Sequence, residues 1–146
     1  MSETLNYLQN RYRANEAEIE ALKAKRSKYE QAYDSLGQFR VSVQNSNGEF
    51  SQAISSRKEY LSGLNEPEQY CEPIREYHEG MENVLGGLGG KTVLRVFRWM
   101  DDHIGRERQS YRNKINDIDR EIERLLRDQE GLLIMIREAR EMEQED

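Results

Sequence analysis

From the fifth residue onward, apolar side chains recur at alternating steps of three and four. The series Leu5, Leu8, Tyr12, Asn15, Ile19, Leu22, Arg26, Tyr29, Tyr33 and Leu36 has eight apolar members out of ten. Such a repeat keeps one stripe of an α-helix against a partner helix, as in a coiled-coil seam. It predicts a long helix over residues 3–36, capped by Ser2, with Glu3 in a first turn that favours negative charge. The C-terminal part is stricter. Phe97, Ile104, Tyr111, Ile118, Leu125, Leu132 and Ala139 fall seven apart, and Ile115, Ile122 and Ile136 form a second line beside them. Pairs such as Glu123–Arg127 and Glu121–Arg124 support an exposed face between these rows. A second long helix over 92–141 follows, with residues 142–146 as a frayed acidic tail.

The middle reads as shorter pieces over 46–88. Ser46 and Glu49 have the spacing of a capping box just before Phe50. Phe50, Ile54, Leu61 and Leu64 then share a face, and Gly63, Asn65 and Pro67 end that helix. Tyr70, Ile74, Tyr77, Met81, Val84 and Leu88 predict a second short helix. No strand-type alternation of useful length occurs. The expected fold is all-α: one helical domain over residues 1–146, built as an elongated antiparallel hairpin of two long coiled-coil-like helices, with the short middle helices packed at one end.

Composition suits this plan. Charged residues make up 34% and hydrophobic ones 36%, and the mean hydropathy is -1.01. That is little apolar material for a compact globule and enough for helices that each bury one stripe. The formal net charge of -6 argues against general nucleic-acid binding, which needs phosphate neutralisation. The start, MSETLNYLQN, is neither basic nor continuously apolar, so a Sec-type signal peptide is not expected. The longest apolar run, Leu132 to Ile136, falls far short of the roughly 20 residues of a membrane helix. A cytoplasmic protein is expected, with a signal-peptide-independent export route left open and no membrane insertion.

Candidate chemistry changes this picture little. Gly86, Gly87, Gly89 and Gly90, followed by Lys91 and Thr92, resemble the end of a phosphate-binding loop. The first glycine of that motif should stand at 85, which is Leu85, and a helix precedes it instead of a strand. The glycines are therefore expected to turn one helix into the next. His78 and His103 lie near carboxylates, but Arg75 and Met100 occupy the positions where a di-iron bundle needs glutamate. Cys71 lies in the acidic stretch EPEQYCEPIREYHEGME, which raises a thiol pKa and lowers its reactivity. No catalytic residue, metal or cofactor is expected. Arg95, Arg98, Arg106, Arg108, Arg112 and Lys114, with Trp99 and Tyr111, form a basic segment over 95–114. Neutralisation by the glutamates of residues 66–82 is its expected use, and nucleic-acid binding through it is a distant alternative.

Two apolar stretches exceed the needs of a narrow stripe. LLIMI, comprising Leu132, Leu133, Ile134, Met135 and Ile136, covers a wider arc than one facing helix fills. In FRWMD, Phe97 and Met100 face inward while Trp99, of the type most enriched in binding hot spots, points elsewhere and Asp101 follows. These nine residues are the candidate partner interface.

The two-helix plan resembles small helical proteins of type VII secretion, namely the Trp-X-Gly hairpins and the helper proteins encoded beside Leu-X-Gly toxins in Gram-positive bacteria. NSNGEFSQAISSRKEYLSGL resembles the segment after the central turn of longer members. Phe97 to Asp101 is similar to a Phe-x-x-x-Asp pattern of some helpers, and Tyr12 to Glu16 to a Tyr-x-x-x-[Asp/Glu] export pattern. The resemblance implies a helper that packs beside a toxin's N-terminal helical region, alone or with a second small helical protein, and escorts it to export. The alternative expectation is a homodimer acting as a coiled-coil scaffold.

Overall fold

The computed structural model describes residues 3–63 and 72–145. They form three α-helices: α1 (Glu3–Gly63), α2 (Glu72–Gly86) and α3 (Leu88–Glu145). No strand occurs among the described residues. The fold is all-α, with the two long helices packed against each other as a helical hairpin.

The predicted seam of α1 faces inward at every position. Leu5, Leu8 and Ile19 are buried, and Tyr12, Asn15, Leu22, Arg26, Tyr29, Tyr33 and Leu36 are half-buried. The predicted break after residue 36 is absent. α1 runs on without interruption, so the first of the two expected short helices is the C-terminal part of α1. The same stepping continues through half-buried Arg40, buried Val43, half-buried Asn47, Phe50 and Ile54, and buried Leu61. Ser46 and Glu49, expected as a cap, are exposed helix-interior residues. Gly48 is also helical, and no glycine among the described residues has a positive φ. The cost of Asn45, Asn47 and Gly48 inside a helix, up to roughly 1 kcal/mol each, is offset by burial of Val43 and Phe50 on either side.

The α3 rows are likewise turned inward. Ile104, Ile118, Leu125 and Leu132 are buried, as are Ile115 and Ile136 of the second line. α3 starts at Leu88, earlier than the predicted residue 92. Of the four clustered glycines only Gly87 is non-helical. A Cβ there would run into the carbonyl of Asn83, so the bend requires glycine. The amide of Lys91 donates to the Gly87 carbonyl at 3.2 Å and opens α3. Among the described side chains of α2 only Met81 and Leu85 are half-buried, whereas Tyr77 and Val84 are exposed. α1 ends at Gly63; the expected cap at Ser2, the face residue Leu64, the helix-ending Asn65 and Pro67, and Tyr70 lie outside the described residues, as do the side chains of Ile74 and Leu88.

The helix pair divides into two compact units. One joins α1 up to Asp34 with α3 from Gln109; the other spans Ser35–Arg108 and contains α2. In both, α1 and α3 run antiparallel, with partner numbers falling on α3 as they rise on α1. In the first unit Leu5 and Leu8 meet Leu132 and Ile136. Arg26 pairs with Asp119 at 2.7 Å, and Tyr29 and Tyr111 lie 5.8 Å apart between ring centres. The Lys114 ammonium stands over both of those rings. In the second unit Arg40 meets Asp101 and Phe50 meets Phe97. There, the Arg108 guanidinium covers Gly37 while the Arg40 guanidinium covers Gly105.

Candidate partner-binding surface

The C-terminal part of α3 separates the five residues of LLIMI into two rows. Leu132 is 3% exposed and Ile136 7%. One helical turn apart, they close on Leu5 and Leu8, with Tyr12 and Ala139 packed alongside. Both were expected at a partner interface; both are spent on the hairpin itself. Leu133, Ile134 and Met135 occupy the remaining arc and are exposed at 46%, 56% and 49%. Leu126 and Met142, which the sequence reading passed over, are also exposed. The signal for them is the same seven-step spacing. Leu126 precedes Leu133 by one repeat and flanks one side of the seam, while Met142 follows Met135 by one repeat and flanks the other. Charged groups border the arc: Arg124 is held within α3 by Glu121 and Asp128. That pairing holds the Glu121 carboxyl below its usual range.

In the second unit the FRWMD stretch is mostly engaged within the chain. Phe97 is half-buried, with its ring 6.2 Å from that of Phe50. Met100 is half-buried. Asp101 accepts hydrogen bonds from Arg40 Nε at 2.9 Å, Arg40 Nη2 at 3.3 Å and Gln44 Nε2 at 3.0 Å. The Arg40 hydrogen bond is the main reason its carboxyl sits below the ordinary range. Phe97 and Asp101 also line a groove of about 300 Å³ with Val43, Asn47, Leu94 and Arg98. Asn47 Oδ1 is buried without a hydrogen-bond partner. Trp99 points away from α1, 60% exposed, and stacks nearly parallel on His103 at 5.3 Å between ring centres.

The remaining candidates are placed as follows. Cys71 and the His78 side chain lie outside the described residues. Among the described residues no three His, Cys, Asp or Glu side chains gather in a metal-binding arrangement. The glycine-rich stretch links two helices, and its Lys91 amide is already bonded to Gly87. Within the basic segment Arg108 lies on Gly37 and Arg112 donates to the Tyr33 hydroxyl at 3.1 Å. Arg95, Arg98 and Arg106 are exposed, and no ion pair among the described residues involves them. The expected neutralisation by α2 glutamates is thus not made there; Glu66 and Glu68 lie outside the described residues.

This arrangement leaves Leu133, Ile134 and Met135 as exposed apolar side chains on α3 of an all-α hairpin. No protein-family model, no curated protein and no solved structure matches the chain. No helix among the described residues is long and apolar enough to cross a membrane.

Proposed function

We propose that this chain is a non-catalytic helix–helix interaction protein that accompanies a secreted helical substrate of type VII secretion. One observation carries the reading: Leu133, Ile134 and Met135 stay exposed beside Leu132 and Ile136, which already satisfy α1. Exposed apolar side chains set among charged ones on a helix suit contact with a second amphipathic helix. The methionines supply contact that adapts to the incoming shape. The Phe97–Asp101 pattern supports the reading less, because Asp101 is occupied by Arg40 and Gln44. The partner in this reading is the N-terminal helical region of a toxin encoded beside the chain's own gene. Binding takes place in the cytoplasm before signal-peptide-independent export.

The test is co-expression with that region and measurement of the complex. Replacing Leu133, Ile134 and Met135 together by Glu is expected to weaken binding at least tenfold, since each buried apolar side chain is worth roughly 1.5–3 kcal/mol. Helix content should not change. Unaltered binding by the triple variant overturns the reading. A homodimer lost in the same variant, with no toxin segment bound, is the outcome that favours a self-associating scaffold instead.

A further inference from the structure

The second unit carries two exposed faces of opposite charge that the reading above does not use. On α3, Arg95, Trp99, Asp102 and Arg106 lie at steps of four, three and four and so share one face, with Arg98 and His103 beside it. That face is opposite to half-buried Leu94 and Phe97 and buried Ile104, and all six of its residues are exposed. On α2, Glu72, Glu76 and Glu79 also lie at steps of four and three, on the side away from half-buried Met81 and Leu85. No ion pair among the described residues engages these three glutamates or the three arginines. Each stripe spans about 10–16 Å at 1.5 Å per residue. Exposed Tyr77 and Val84 flank the acidic stripe, and exposed Val96 accompanies Trp99.

We infer that the occupant of the α3 stripe is α2 of a second copy of this chain, in a reciprocal two-fold dimer. Three features favour it. Charge complementarity is carried by one chain, so a two-fold contact satisfies both stripes twice over. Trp99, stacked flat on His103, offers a large rigid anchor in the centre of the basic face, where a contact surface concentrates its binding energy. Asp102 lies within the stripe, which suits a protein face bearing mixed charge and opposes a polyphosphate backbone. The contact uses no residue of the Leu133–Met135 arc, so it stands or falls independently of toxin binding.

The test is sedimentation equilibrium of the full chain. The wild type is expected to form a dimer that weakens as salt rises. Changing Arg95, Arg98 and Arg106 to Glu should weaken it at least tenfold, as should changing Glu72, Glu76 and Glu79 to Lys. Trp99→Ala should weaken it with no change in net charge. Mixing the two charge-reversed variants is the decisive step: each now complements the other at both contacts, so a one-to-one heterodimer should return. A monomeric wild type, or a mixture that stays monomeric while both variants keep their helix content, overturns the inference. So does a labelled single-stranded oligonucleotide that binds the wild type through these arginines while the protein stays monomeric.

Discussion

Arg108 of α3 lays its guanidinium on Gly37 of α1, so near that a Cβ at Gly37 would stand 2.7 Å from Nη2. Arg40 does the same at Gly105, where the corresponding distance is 3.2 Å. In both helices the glycine precedes the arginine by three residues, so each glycine–arginine pair sits across from the other in antiparallel register. Glycine leaves room for the partner helix's long side chain to cross the seam. Gly37→Val is expected to displace Arg108 and lower stability by roughly 1–2 kcal/mol, as overpacking does. Gly37→Ala should come out near neutral, because the gain in helix propensity offsets the shift of a flexible side-chain end. Urea unfolding of the two variants checks this.

Gly48 gives the opposite expectation. It lies inside α1, and nothing is within 4 Å of the place a Cβ would take. Gly48→Ala is expected to stabilise the chain by roughly 0.5–1 kcal/mol, the helix-interior difference between the two residues. A turn at Asn45–Gly48 would give a loss instead. Thermal unfolding distinguishes the two.

The Arg40–Asp101 contact predicts acid sensitivity. The Asp101 carboxyl is held below its ordinary value of 3.8, first by the Arg40 hydrogen bond and further by Gln44. A depressed folded-state pKa adds stability that is present above the unfolded value and is lost as pH falls through the folded one. The melting-temperature advantage of wild type over Asp101→Asn should therefore hold at neutral pH. It should shrink as pH drops below about 4, the unfolded carboxylate range. An advantage independent of pH contradicts the pairing.

The heptad rows of Leu5–Leu36 and Phe97–Ala139 were legible because most of their members are apolar, and a repeat of seven has one physical use in a helix. The continuation of α1 was not. Between Leu36 and Phe50 the inward positions are Arg40, Val43 and Asn47, two of them polar, and NSNG overlays them with turn and cap chemistry. Local preference and long-range packing point in different directions there, and packing prevails because Arg40 finds Asp101 and Val43 is buried. Trp99 was assigned its outward direction from spacing alone. The two jobs within LLIMI were not separated, since composition marks five apolar residues alike and only their angle to Leu5 and Leu8 divides them.

That division is the centre of the account, and alanine substitution measured by denaturant unfolding tests it most directly. Leu132→Ala and Ile136→Ala should each cost roughly 2–4 kcal/mol, because they open the contact with Leu5 and Leu8. Ile134→Ala and Met135→Ala should stay within about 0.5 kcal/mol of wild type, as exposed positions do. Similar losses at all four positions would show that the outer row is also core, and would contradict both the hairpin packing and the surface assigned to a partner.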